Sequence, residues 1–192
     1  MPKRQMTSEQ SKLLLDRVFE IMAAEGLANV RMADLARRLG CSPNTLYKFA
    51  PTKESLFALV LKRWLDDALD TARELAETVD SPAQRARAYY ESATAATDRA
   101  SRQLRMDIAH YTSTELVWVN ASEKFVGQFS QYLTEAAEVG EVRPLNARFT
   151  TLLLRQIAAV ARNEEVVAEC GLTKEEAHRE VDLLIWQGIA AR

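Results

Sequence analysis

The chain has 192 residues, of which 47% are hydrophobic, and it contains only six Gly and five Pro. This composition favours a compact, mostly helical protein over a disordered one. The polar first residues do not resemble a signal peptide, the longest apolar run is too short to cross a bilayer, and two cysteines are too few for a disulfide framework. We therefore expect a cytoplasmic protein that does not insert into a membrane.

The net charge of −2 conceals an asymmetry along the chain. Residues 1–63 carry 11 Lys and Arg against 6 Asp and Glu, a net of +5, whereas the remaining residues carry 14 against 21, a net of −7. A basic head on an acidic body indicates that the head alone meets a polyanion. Chance variation in surface charge is the alternative.

Hydrophobic periodicity, capping residues and glycine or proline stops predict an all-α chain of about nine helices. Gly26 and Gly40 are expected to end the first two helices, and Ser42-Pro43 to begin the third. The predicted helices cover residues 8–25, 32–39, 43–49, 53–79, 82–98, 102–111, 114–139, 147–168 and 174–191. We find no strand pattern, repeat or low-complexity segment.

Residues 32–49 have the pattern of a helix-turn-helix. Two short helices share the turn 40–42, where Gly40 allows a positive φ and the small Ala36 allows the helices to approach closely. The buried side would consist of Leu35, Leu39, Cys41, Leu46 and Phe49. The outer face of the second helix would then present Pro43, Asn44, Tyr47 and Lys48, which can reach phosphates and base edges.

Several short stretches carry a family resemblance. They include Asp34-Leu35-Ala36, Gly40-Cys41-Ser42, Thr45-Leu46-Tyr47-Lys48-Phe49 and Pro51-Thr52-Lys53-Glu54-Ser55-Leu56. Through them residues 13–61 resemble the DNA-binding domain of the TetR/AcrR family. Arg31 departs from the usual Ser or Thr cap of the second helix, and Leu27 and Ala50 replace common aromatic residues, but none of these changes removes a DNA-facing group.

The resemblance implies a division of labour in the head. Thr45, Tyr47 and Lys53 are expected to contact phosphates, and Pro43, Asn44 and Lys48 to reach the major groove. The predicted DNA-binding residues are Arg31, Ser42, Pro43, Asn44, Thr45, Tyr47, Lys48 and Lys53. Tyr47 could instead be a half-buried packing residue, and Lys3 with Arg4 could form either a minor-groove arm or a disordered tail.

The last helix is apolar on two opposite faces, so it must be covered on two sides. Because the resemblance implies a four-helix bundle across a dimer, a second subunit is the expected cover, with burial inside one subunit as the alternative. The predicted interface residues are Leu153, Ile157, Val160, Leu184, Ile185, Trp186 and Ile189.

Aromatic residues recur in the middle helices and could line a pocket for an apolar or aromatic effector. The candidates are Tyr89, His110, Tyr111, Trp118, Phe125 and Phe129. Such a stripe is also typical of an ordinary core, and it is the resemblance that favours a pocket.

The sequence thus predicts an N-terminal helix-turn-helix domain, residues 1–52, and a larger helical effector-binding and dimerisation domain, residues 53–192. The expected function is a homodimeric repressor released from a palindromic DNA operator by a small ligand. The alternative is an all-helical binding protein or enzyme that keeps the head only as structure. His110 and His178 show no metal-ligand spacing, so no catalytic site, metal or cofactor is expected, and Cys41 is expected to be structural rather than a redox sensor.

Overall fold

The computed structural model describes residues 6–98 and 100–191, and within them the chain forms ten helices. Their bounds are α1 (Ser8–Glu25), α2 (Met32–Arg38), α3 (Pro43–Tyr47), α4 (Lys53–Glu77), α5 (Pro82–Asp98), α6 (Arg102–His110), α7 (Thr112–Glu138), α8 (Ala147–Ala161), α9 (Glu164–Glu169) and α10 (Lys174–Ile189). The described residues pair as β-structure only in a single bridge, Val142 with Ala190. Among these helices none is long and apolar enough to cross a membrane.

Helix starts follow the local capping chemistry. Thr7 and Gln10 form a capping box at α1, and Thr173 and Glu176 form another at α10. Ser42 accepts a hydrogen bond from the Thr45 N–H at the start of α3. Each of these side chains satisfies a backbone donor that the first turn leaves unpaired, which is why the predicted starts agree with the structure.

The predicted helix over residues 147–168 is wrong as a single element, because the structure divides it into α8 and α9. α8 ends at Ala161, and the Asn163 side chain then accepts hydrogen bonds from the Glu165 and Val166 N–H groups. Asparagine competes for backbone donors and so favours a cap over a helix interior. The apolar pattern continues across this break, so the hydrophobic periodicity did not reveal that α8 and α9 are separate helices.

The chain divides into two compact units. Unit 1 comprises Met1–Leu69 and Arg99–Ser122, and unit 2 comprises Asp70–Asp98 and Glu123–Arg192. Unit 1 contains the helix-turn-helix, α6 and the first parts of α4 and α7. Its core contains fully buried side chains such as Met22, Leu35, Leu46 and Phe57. The possible arm at Lys3 and Arg4 lies outside the described residues.

Candidate functional site

The turn between α2 and α3 has the geometry that the sequence predicts. Gly40 has a φ of 66°, and the Cys41 N–H donates to the Ala36 carbonyl at 2.9 Å. Leu35, Ala36 and Leu46 are fully buried between the helices. A residue with a Cβ would be strained at this positive φ, so the tight turn needs glycine at position 40.

α3 presents a polar outer face. Ser42, Pro43, Asn44 and Lys48 are exposed, and the Tyr47 side chain is 48% exposed. Thr45 is half-buried, with its hydroxyl 2.9 Å from that of Ser42. Because the buried Leu46 anchors the opposite side of α3, these exposed groups project from a fixed helix.

Two other residues that are predicted to contact DNA lie at the starts of helices. Arg31 is exposed at the N-cap of α2 and makes no side-chain capping bond. Lys53, at the first residue of α4, is half-buried and its Nζ donates to the Leu27 carbonyl at 2.8 Å. An ammonium has three donors, so this bond leaves two of them for another acceptor.

The turn between α1 and α2 is held by a residue that the sequence did not single out. Asp107 on α6 is 4% exposed, and its Oδ2 accepts a hydrogen bond from the Leu27 N–H while its Oδ1 accepts one from Gln103 Nε2 at 3.0 Å. Both peptide groups of Leu27 are therefore bonded, one to α6 and the other to α4. Leu27 and Asp107 are 80 residues apart in the sequence, so no local pattern could have revealed their contact.

Two basic side chains of the head, Arg37 and Arg38, are already paired with carboxylates, Arg37 with Asp34 at 2.7 Å. Arg38 donates to both carboxylate oxygens of Glu25, at 2.8 and 2.5 Å. This charged hydrogen bond lowers the pKa of Glu25 and raises that of Arg38. The pair links α2 to the end of α1. The positive charge of Arg38 therefore has a structural role in the head that does not require DNA.

Unit 2 holds a cluster of aromatic side chains. Tyr89 stacks on Phe125 with ring centroids 5.5 Å apart. The ring centroid of Tyr90 lies 5.6 Å from that of Phe129 and 6.2 Å from that of Trp186. Burial raises the pKa of Tyr90 to about 12 and raises that of Tyr89 as well. We call Tyr89, Tyr90, Phe125, Phe129, Tyr132 and Trp186 the aromatic cluster.

The predicted effector residues fall into two groups. Tyr89, Phe125 and Phe129 belong to the aromatic cluster, together with Tyr132 and Trp186, which the pocket prediction did not include. His110, Tyr111 and Trp118 belong to unit 1, where Tyr111 and Trp118 pack against the hydrophobic core. The six candidates are therefore divided between the two units, because α7 contributes its first turns to one unit and its later turns to the other.

The predicted interface residues also separate by exposure. Leu153, Val160 and Leu184 are 47%, 56% and 63% exposed, whereas Ile185 and Ile189 are buried within the subunit. Ile157 and Trp186 are half-buried. Exposed apolar side chains on α8 and α10 also include Phe149 and Leu183.

The cysteines and the acidic residues offer little chemistry. Burial raises the pKa of the Cys41 thiol, which disfavours the reactive thiolate. No group of three or more His, Cys, Asp or Glu in the described part of the chain could hold a metal ion.

Comparison with known proteins supports the interpretation of the head. Residues 14–60 match the family model of the bacterial regulatory proteins of the tetR family. No curated protein matches the chain in a sequence search.

The whole fold also has solved counterparts. A transcriptional regulator from Saccharomonospora viridis in complex with choline is similar with a TM-score of 0.82 at 17% identity, covering 97% of this chain and 100% of that one. A TetR-family regulator from Rhodococcus sp. gives 0.72 at 19% identity, covering 94% and 100%. NemR from E. coli in its reduced form gives 0.77 at 14% identity, covering 94% and 97%. The helix-turn-helix head thus matches the tetR-family model over residues 14–60, and the chain as a whole shares its all-helical fold with these solved regulators.

Proposed function

We propose that the protein is a cytoplasmic homodimeric repressor that leaves a palindromic DNA operator when a small molecule binds to unit 2. Residues 1–52 would read the DNA, and residues 53–192 would bind the effector and form the dimer. The observation that carries the proposal is the exposed polar face of α3, anchored by the buried Leu46. Residues 1–63, which include the head, carry a net charge of +5, whereas the rest of the chain is acidic.

The exposed groups suit both kinds of DNA contact. Asn can form two hydrogen bonds with adenine and Lys can read guanine in the major groove, which assigns base reading to Asn44 and Lys48. The Tyr47 hydroxyl and the two remaining donors of Lys53 suit phosphates, as does the start of α4 beside them. Two such heads would enter successive major grooves, about 34–36 Å apart, when the protein is dimeric.

The dimer is supported by the apolar side chains that α8 and α10 expose. Five large apolar residues on two helices exceed what scattered exposure in a monomer requires. They are Phe149, Leu153, Val160, Leu183 and Leu184. A second copy presenting the same helices would cover them with a self-complementary surface.

The effector is supported by the aromatic cluster of unit 2, and by the solved neighbour that holds choline. Linkage requires the effector to bind the DNA-incompetent state more tightly than the competent one, and a ~100-fold loss of DNA affinity needs about 2.7 kcal/mol of coupling. The alternative, a binding protein or enzyme that retains the head only as structure, predicts no salt-dependent affinity for DNA.

The test begins with selection of bound sequences from random DNA, followed by fluorescence anisotropy at several salt concentrations. Lys53→Met keeps the aliphatic stem but removes the ammonium, so it should weaken binding to all sequences alike. The salt slope should fall by about 2 for a dimer that loses two phosphate contacts. Asn44→Ala should cost about 1–3 kcal/mol and relax the preference at one symmetric pair of base positions.

Thermal melting serves as the control, because Lys53→Met also removes the bond to Leu27. If Asn44→Ala weakened all sequences equally while Lys53→Met changed base preference, the assigned roles would be reversed. If neither folded variant altered binding, the head would not be a DNA reader.

A further inference from the structure

Within unit 1, α6 is bonded directly to the end of α1 and to the turn that follows it. The Ser101 hydroxyl donates to the Ala23 carbonyl at 2.6 Å, and Asp107 accepts the Leu27 N–H. Between these two contacts, Gly26 leaves no room for a Cβ beside the side chains of α6. The end of α1 and the turn at Leu27 therefore form one packed junction with α6.

Asp107 is the charged group of this junction. It is 4% exposed, and while one carboxylate oxygen accepts the Leu27 N–H, the other accepts from Gln103 Nε2 at 3.0 Å. A buried polar group whose hydrogen bonds are satisfied on both sides rigidifies its surroundings. Asp107 therefore holds the backbone of Leu27 in one position.

The carbonyl of Leu27 holds a residue of the proposed DNA-binding surface. It accepts a hydrogen bond from Lys53 Nζ at 2.8 Å, and it also accepts the Val30 N–H at 3.3 Å. The Leu27 side chain is fully buried, so this carbonyl has a fixed place in the core of unit 1. The backbone of a single residue thus joins Asp107 on α6 to Lys53 at the start of α4.

A lysine that is held before DNA arrives binds a phosphate at a lower entropic cost. Lysine side chains lose much rotamer freedom when they are ordered, and ordering them in advance raises affinity without adding a contact. Lys53 is half-buried and already bonded through one of its three donors. The bond to Leu27 therefore pays this cost during folding rather than during binding.

We propose that Asp107 is a positioning residue for the phosphate contact of Lys53. It fixes Leu27, and the Leu27 carbonyl in turn keeps the Lys53 ammonium at the start of α4, where the phosphate is expected. This inference rests on the proposed function, in which Lys53 contacts DNA.

A double-mutant cycle on the full chain tests the proposal, with fluorescence anisotropy on the selected DNA as the measurement. Asp107→Ala should weaken binding by about 10-fold, and to all sequences alike, because two lysine side chains, one on each subunit, must then be ordered on binding. In a Lys53→Met background the same change should alter affinity by less than about 2-fold, since the residue through which Asp107 acts is gone. An equal loss in both backgrounds would overturn the proposal, because it would show a general loosening of the head.

Two further variants separate positioning from stability. Asp107→Asn keeps an oxygen that can accept the Leu27 N–H, so it should bind DNA within about 2-fold of the parent. Ser101→Ala is the matched control, because it removes a bond between α6 and α1 without touching Leu27, and it should also leave affinity unchanged. All variants are compared at a temperature where circular dichroism shows them folded. If Asp107→Asn or Ser101→Ala weakened binding as much as Asp107→Ala, the path through Leu27 would be wrong.

The same measurements separate this proposal from the proposed function. If the parent binds the selected DNA and Asn44→Ala relaxes its base preference, but the effects of Asp107→Ala and Lys53→Met are additive, Asp107 has no positioning role and the DNA-binding function stands. If the parent has no salt-dependent affinity for any DNA, the proposed function fails and the role of Asp107 fails with it.

Discussion

At the scale of single residues, Asp107 joins parts of unit 1 that are distant in sequence. It accepts the Leu27 N–H and Gln103 Nε2, and it is almost completely buried. A buried carboxylate is tolerated only when its oxygens are hydrogen-bonded. Asp107 therefore holds the turn that precedes α2 in the helix-turn-helix head.

Asp107→Ala should lower the free energy of unfolding by about 1–3 kcal/mol, because it leaves the Leu27 N–H buried without an acceptor. Asp107→Asn should cost less, since the amide oxygen can still accept that bond and the Gln103 amide can turn to match. Urea denaturation followed by circular dichroism measures both effects. Two variants as stable as the parent would show that the bond contributes nothing net.

The buried tyrosines give the protein a dependence on alkaline pH. Burial raises the pKa of Tyr90 to about 12, with Asp182 and Asp98 adding to the effect and Arg162 opposing it. An unfolded tyrosine ionises near pH 10. Between these values the unfolded chain loses its proton while the folded chain keeps it, so stability is intact below pH 10 and falls as pH rises toward 12.

Tyr90→Phe should therefore flatten the loss of stability between pH 9 and pH 11.5 by about 2 kcal/mol, the order expected for a shift of this size. Urea denaturation at the two pH values, for the parent and for the variant, gives the comparison. An equal loss in both proteins would mean that Tyr90 ionises at its ordinary pKa in the folded state.

At the scale of helices and turns, the junction of α1 with α6 depends on one glycine. Gly26 ends α1 with a φ of 80°, and a Cβ placed there would lie 2.9 Å from Asp107 Oδ2 and closer still to Gln103 Cγ. Gly127, inside α7, has no atom within 4 Å of its Cβ position. Replacing glycine is therefore expected to have opposite effects on stability at the two positions.

Gly26→Ala should destabilise the protein by about 1–3 kcal/mol, because it adds both backbone strain and a clash with α6. Gly127→Ala should instead stabilise it by about 0.5–1 kcal/mol, as alanine does inside an exposed helix. Thermal or urea unfolding distinguishes the signs. A destabilising Gly127→Ala, or a neutral Gly26→Ala, would contradict the geometry of that site.

At the scale of the whole molecule, neighbouring residues on α10 lie in different surroundings. Leu184 is exposed and Ile185 is buried inside the subunit. A charge at residue 184 enters the proposed dimer surface, whereas a charge at residue 185 enters the core of the subunit. The two positions therefore separate association from folding.

Leu184→Glu should give a folded monomer with weakened operator binding, since like charges would face each other across the two-fold axis. Ile185→Glu should unfold the chain, because the carboxylate would be buried without a partner. Light scattering and circular dichroism measure the two outcomes, with Leu75→Glu, an exposed leucine of α4, as the control. A dimeric Leu184→Glu variant would place the interface elsewhere.

The sequence by itself determined the helical class, most helix ends and the helix-turn-helix, because these depend on interactions within a few residues. Ser42 caps the Thr45 N–H and Gly40 supplies a positive φ wherever the rest of the chain lies. It also determined which residues of α3 face outward, since the buried Leu46 fixes the phase of a single short helix.

Only the tertiary structure decided the contacts between segments that are distant in sequence. It brought Lys53 to the Leu27 carbonyl and Asp107 to the Leu27 N–H, and it placed Trp186 beside Tyr90 rather than with the exposed leucines of α10. The physical reason is that an apolar or charged side chain shows its periodicity in the sequence but not its partner. Which of two apolar faces is buried within the subunit depends on the helices that pack against it.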